Sequence, residues 1–248
     1  MLILFKNLTN EDKSAAVERL ITGSTPSQDF FFMIILSILT ATFGLLLNDI
    51  AIIIGSMLIA PILYPILSLS LGIIMSDPKL ISRSFYTVVK SLGIGILAAT
   101  LVTLLFSSQL TEITAEIAAR TQPSLPSLII AVTAGLAASF ALVKPKLSET
   151  LPGIAISVAL VPPIAVVGIG IAKLNLIIVT GALLLFLVNF IGVVFASMLT
   201  FSLMNFYIKR GEAKETVDKE DKKVELEKEA AERAVRAEEV APRDILPR

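Results

Sequence analysis

Two proline-marked segments hold the residues best suited to chemistry. One reads SMLIAP over residues 56–61, with Pro65 four residues on; the other reads SVALVP over residues 157–162, followed by Pro163. Proline donates no backbone hydrogen bond, and its ring clashes with the carbonyl four residues back, so a helix kinks or breaks there. In an apolar surrounding the freed carbonyl must be satisfied by protein, water or a bound polar group. Two such breaks facing each other would offer polar backbone to a solute, with Ala60, Pro61, Pro65, Val161, Pro162 and Pro163 at the breaks. Ser56, Ser68, Ser70 and Ser157 would stand beside them. Asn189 and Lys90 are the other conspicuous polar residues within apolar stretches. The same pattern also describes a plain kink satisfied by neighbouring hydroxyls. A matched pair of breaks favours the site over the kink.

Asp49 and Glu149 precede the two segments. They could bind a coupling cation, yet each stands at a predicted helix start, where capping accounts for a carboxylate better. Lys90 has the reach to place its ammonium at an aqueous interface, and Asn189 can hydrogen-bond between helices. Enzyme chemistry is poorly served. Cys, His and Trp are absent, which removes HExxH zinc sites, Ser-His and Cys-His nucleophiles, and disulfides. No aspartate pair lies mid-span, and a Ser56–Lys90 dyad has no positional support. No catalytic residue, metal ligand or cofactor is expected.

The elements that would position these residues are apolar. Of 248 residues 55% are hydrophobic and 17% charged, against about 25% charged in soluble domains. About half of the charges follow Tyr207, and the net charge is zero, which gives no reason to expect a nucleic-acid partner. Apolar stretches near residues 30–47, 50–75, 86–107, 125–143, 151–172 and 176–207 are each long enough to cross a bilayer. The last is longer than one crossing needs. Residues 76–79 and 173–175 read as turns, and residues 109–123 as a more polar stretch with a short surface helix.

The expected fold is therefore an all-α integral membrane protein of about six transmembrane helices, the second and fifth broken by proline. Residues 1–28 form a short leader, 29–207 the membrane domain and 208–248 a charged tail. In the leader Thr9 or Asn10 caps a helix that buries Ala16, Val17, Leu20 and Ile21 against protein or a membrane surface. It lacks the order of charges of a cleavable signal peptide. The tail reads as a solvated helix with opposite charges three or four apart; Val217, Val224 and Ala231 recur every seven residues without a second apolar position, a weak coiled-coil pattern. Lys and Arg concentrate on the side holding both termini, which makes both termini cytoplasmic.

The order of elements repeats. A plain span, a broken span and a plain span (29–107) are followed by the same three (125–207), with Asn48 and Asp49 matching Ser148 and Glu149, and Gly93 falling near Gly192. An odd number of crossings per repeat inverts the second copy, as in many secondary transporters.

The segments GSMLIAPILYPILSLSLGIIMSD and LSETLPGIAISVALVPPIAVVGIGIA resemble a widespread prokaryotic membrane family known only as a domain of unknown function, number 389. The resemblance covers about residues 30–203 and rests on Ala60-Pro61, residues 147–153 and Val161-Pro162-Pro163. It implies the inner (plasma) membrane of a bacterium or archaeon, and no substrate. Two functions follow from the residues. The first is a secondary transporter or solute-conducting protein, its site between the two breaks near the membrane midplane; half-helix N-termini there would suit a small polar or anionic solute. The alternative is a membrane scaffold or sensor whose tail recruits a cytoplasmic partner. Small residues along the fourth span (Ala131, Ala134, Gly135, Ala137, Ala138, Ser139) suit close helix packing, within the chain or in a homo-oligomer, with a dimer favoured.

Overall fold

The computed structural model describes residues 8–106, 112–144, 147 and 160–240, with side chains as far as residue 234. Its helices are α1 (Asn10–Gly23), α2 (Gln28–Leu46), α3 (Ile50–Ile59), α4 (Leu63–Met75), α5 (Pro78–Phe106), α6 (Ala115–Ala119), α7 (Leu125–Val143), α8 (Val161–Ala172), α9 (Leu176–Leu203) and α10 (Arg210–Val240), with a 3-10 turn at Phe206–Lys209. Helices α2, α5, α7 and α9 are long and apolar enough to cross a membrane, and the bent pair α3–α4 makes a fifth crossing if counted as one span. The sequence predicts six. Its fifth is described only from α8 onward, so Glu149 and Ser157 lie outside the described residues. Large apolar side chains point outward on all four long helices, among them Phe32, Leu101, Ile129 and Phe195. So broad an apolar exterior fits lipid rather than water as solvent.

Three helix junctions share one design. Gly44, Gly72 and Gly170 are each followed four residues later by a left-handed residue (Asn48, φ 56°; Ser76, φ 49°; Leu174, φ 52°). The fifth residue on is an acid or amide: Asp49, Asp77 and Asn175. Its backbone N–H returns to the glycine carbonyl at 2.8, 3.0 and 2.9 Å, closing the helix as in a Schellman motif. Its side-chain Oδ1 then accepts from two N–H groups of the next helix: Ala51 and Ile52, Lys79 and Leu80, Ile177 and Ile178. One residue thus ends one helix and starts another. A Cβ on any of the three glycines would stand 2.9–3.1 Å from the following helix.

This chemistry moves two predicted boundaries. Pro78, Lys79 and Arg83 are helical, because Asp77 caps α5 and Pro78 fits its first position; the third span starts eight residues earlier than the apolar stretch suggests. The long final stretch is not one helix. It stops at Leu203, with Asn205 left-handed (φ 57°) before the 3-10 turn.

Helix α7 packs chiefly on α9, where a Cβ at Gly135 would meet the Val193 Cα at 2.9 Å and one at Gly192 the Ala131 Cβ at 2.9 Å. Ala131 and Gly135 of the fourth span thus serve packing within the chain, whereas Ala137 is exposed. Helix α8 packs on α5, α9 and α2, and α4 on α5, α9 and α1. Each half-helix after a break therefore lies against spans of the other predicted repeat as well as its own. At one end of the bundle, hereafter the charged end, α1 and α10 meet. Thr9 and Asp12 form a reciprocal capping box, and Ala16, Val17, Leu20 and Ile21 are buried on protein. Ala213 and Val217 of α10 are fully buried, whereas beyond Val224 the helix is largely exposed.

Candidate functional site

At the first break Ala60 is extended (φ −74°, ψ 121°), and α4 leaves α3 at 51°. Pro61 cannot donate to the carbonyl of Met57, and Pro65 lies in the first turn of α4, where a missing N–H is tolerated. Ser56 is buried; its Oγ donates to the Ile53 carbonyl at 2.6 Å, and its own carbonyl accepts from Ser37 Oγ at 2.7 Å. Ser68 accepts from Ser24 Oγ at 3.2 Å, and Ser70 donates to the Ile66 carbonyl at 3.0 Å. Ser24 and Ser37 escape sequence reading, because a single serine in an apolar run looks the same whether it faces lipid or a break.

The second break is described from Leu160. Val161, Pro162 and Pro163 form the first turn of α8, and every residue from Val161 to Gly170 is buried. Among the described residues, no side chain caps the start of α4 or of α8. A Cβ on Gly95 would touch both Ile164 of α8 and Ile38 near the middle of α2, at 3.1 and 3.2 Å. Ser37, bonded to Ser56, sits at the same level. The start of α8 and the end of α3 thus lie at one depth in the bundle, and α8 touches α3. Half-helices α4 and α8 leave this level toward opposite ends.

Polar groups connect that level to the charged end. Arg83, Thr87 and Ser91 are buried along one face of α5, spaced four apart. Thr87 Oγ1 reaches the Ser24 carbonyl at 3.4 Å and the Arg83 carbonyl at 2.9 Å, and Ser91 Oγ donates to the Thr87 carbonyl at 2.7 Å. With Ser24 and Ser68 they form a buried hydroxyl tract. The i, i+4 spacing was visible in the sequence, but the early loop boundary separated Arg83 from it. A cleft of about 630 Å³ also opens near this end, lined by Ala15, Glu18, Arg19, Thr22, Gly23 and Tyr64. Tyr64 is three residues past Pro61, so the cleft reaches the first turn of α4.

Other predicted residues fall elsewhere. Asp49 is exposed and engaged as the cap of α3. Asn189 is buried in α9, which packs on α7, α8 and α4. Lys90 is exposed, its Nζ 4.1 Å from the Phe31 ring centroid and 5.7 Å from that of Tyr86, in cation–π range. Gly93 and Gly192 do not share a role: nothing lies within 4 Å of a Cβ at Gly93, and Gly95 makes the close contact instead.

The tail is tied to this end by charge. Lys79 Nζ stands 2.7 Å from both Asp218 and Asp221, and Arg83 Nε 3.1 Å from Asp221. Thr25 Oγ1 accepts from Arg83 Nη2 at 2.7 Å and donates to Glu220 at 3.1 Å. Ser14 and Lys209 both bond Glu212 at 2.6 Å. The Lys79 hydrogen bond holds Asp218 below its ordinary carboxylate range, and the bonds from Lys209 and Ser14 do the same for Glu212.

A family model described as a domain of unknown function (DUF389) matches residues 57–195. An uncharacterized protein of the archaeon Methanocaldococcus jannaschii is 34% identical over 176 residues, which cover 71% of this chain and 54% of that one. The chain thus spans about half the length of the curated relative it matches. No solved structure matches.

Proposed function

The chain belongs to the DUF389 family, and from that premise we propose that it is a small secondary transporter or solute-conducting membrane protein rather than an enzyme. Its site lies at mid-depth, between the break at Ala60-Pro61 and the start of α8. The observation that carries this reading is the buried tract from Arg83 through Thr87, Ser91, Ser24 and Ser68, which brings hydroxyls toward two uncapped half-helix starts. In a bundle surrounded by lipid, buried polar side chains mark solute or ion paths, and interrupted helices at corresponding positions mark the binding level.

The two-repeat, six-crossing plan is part of the proposal. Helix α7 runs from the α6 end to the charged end, and α8 runs away from the charged end, which supports a further crossing between the two. The glycine junction before α5 (residues 72–77) recurs before α9 (170–175), each about ten residues after a proline break. With α1 and α10 on the Lys- and Arg-rich side, both termini face the cytoplasm of a prokaryotic cell. Since Ala131 and Gly135 of α7 are used within the chain, a homodimer would form through exposed apolar surfaces, the Ala137 face of α7 among them.

The test uses the absence of cysteine. Ser56→Cys, Tyr64→Cys and Ser157→Cys, each alone, are exposed to a membrane-impermeant maleimide from one side and then the other. Labelling of Tyr64→Cys together with either serine position supports a water-filled path. Labelling of loop controls alone would leave packed kinks and end the transport reading. The recruiting alternative has one observation in its favour, the exposed distal part of α10. It requires that removing residues 225–248 abolish partner capture while leaving solute flux intact.

A further inference from the structure

Arg83 is 9% exposed, and a guanidinium so buried needs a counter-anion. The chain supplies one from its last helix. Nη2 donates to Thr25, while Asp221 Oδ1, 3.1 Å from Nε, pairs by charge without the alignment of a hydrogen bond. Nη1 is buried and has no hydrogen-bond partner among the described residues. A buried donor left unmade is costly, and a carboxylate or phosphate can take two guanidinium N–H groups at once through two of its oxygens. Four residues earlier, Lys79 points to the same carboxylates. On the cationic side Arg83 is buried on α5 while the Lys79 side chain is 48% exposed; on the anionic side Asp218 and Asp221 are 48% and 37% exposed, on a helix held nearby by the buried Ala213 and Val217.

We propose that Arg83 and Lys79, with the Thr25 hydroxyl, form a binding site for a small carboxylate or phosphate anion, and that Asp221 and Asp218 of α10 occupy it until such an anion arrives from the aqueous side. The purpose of the site rests on the transport reading, since Arg83 is the foot of the hydroxyl tract; its chemistry does not. Helix α10 is then a lid that the solute must displace, and anion binding and tail release are coupled in both directions. A phospholipid headgroup presents the same oxyanion, so the source is part of the test.

The full chain in phosphatidylcholine nanodiscs is titrated calorimetrically with inorganic phosphate at constant ionic strength. Replacing Asp218→Asn and Asp221→Asn together should tighten phosphate binding by about tenfold or more, because the competing carboxylates no longer hold the site closed. Adding Arg83→Gln should abolish that binding, and Arg83→Lys, which keeps the charge and loses the fork, should weaken it. A spin label at Lys222→Cys should become more mobile as phosphate is added to the otherwise native chain. Equal affinity with and without the two aspartates, or binding indifferent to both Arg83 substitutions, overturns the proposal. So does loss of phosphate binding when phosphatidylglycerol is included with the label already mobile, which assigns the site to lipid. If maleimide never reaches the breaks yet phosphate still binds, the transport reading fails and the anion site stands.

Discussion

The two proline-marked segments are held by different chemistry. Around the first, Ser24 at the end of α1 and Ser37 of α2 bond to the helices that flank the turn: Ser37 to the Ser56 carbonyl, Ser24 to Ser68. The half-helix after the second, α8, is packed through glycines near its far end and accepts one hydroxyl there, Thr100 Oγ1 on the Gly168 carbonyl at 3.2 Å. A Cβ on Gly168 would stand 2.5 Å from the Ala99 Cβ and 2.7 Å from the Ile96 carbonyl oxygen, and one on Gly170 would meet Ile178 and Val179 at 2.9 Å. Proline alone would make the segments look alike. Their described neighbours separate them into a hydroxyl-bonded joint and a closely packed one. Polar groups that can exchange partners permit small movements, whereas close backbone packing resists them. This comparison predicts that the first break yields before α8 does.

The comparison can be broken at α8 first. Gly168→Leu forces a side chain into the backbone of α5 and should cost about 3 kcal/mol or prevent folding, at the upper end for overpacked cores; Gly93→Leu, at an open position, should be tolerated. Denaturation in detergent would show it, and equal stability of the two variants would remove the closely packed joint. Next come the junctions. Asp49→Ala and Asn175→Ala each delete a cap that accepts two N–H groups and should cost about 1 kcal/mol. If maleimide access at the breaks is unchanged in Asp49→Ala, the residue acts as a cap and not in ion coupling. Ser37→Ala removes one buried hydrogen bond, worth about 1 kcal/mol or less, and should raise labelling at Ser56→Cys more than it lowers stability.

The smallest effect concerns the tail. Asp218 and Glu212 titrate below their ordinary values of 3.8 and 4.5 in the folded chain. A depressed carboxylate stabilises docking fully above its unfolded value and loses that contribution as pH falls through its folded one. Helix α10 should therefore stay docked at neutral pH and loosen below pH 4.5, read as mobility of a label at Lys222→Cys. Loosening on mild alkalinisation, well below the ordinary lysine value of 10.5 that these pairs raise further for Lys79, would contradict them.

Much of the architecture was readable because lipid imposes strong constraints. Apolar stretches long enough to cross, Thr9 and Asp49 as caps, and the break at Pro61 all follow from local rules. What escaped was long-range. Tail docking joins Lys79 to Asp218, 139 residues apart, and nothing local distinguishes Asp218 from the other charges around it. The glycine junctions were missed for a different reason. Their left-handed residues are Asn48, Ser76 and Leu174, not glycine, so the turn hides behind ordinary side chains. Leu174 is the extreme case, an apolar residue in a conformation that favours glycine or asparagine.

Those junctions also bear on how the chain enters a membrane. Each is completed by residues within a few positions of one another, so α2–α3, α4–α5 and α8–α9 can form as helical hairpins as they emerge, before any distant partner exists. The boundary between the first two hairpins falls between Ile59 and Leu63. The break that sequence reading treats as an interruption of one helix is, in the order of synthesis, the seam between two separately assembled units.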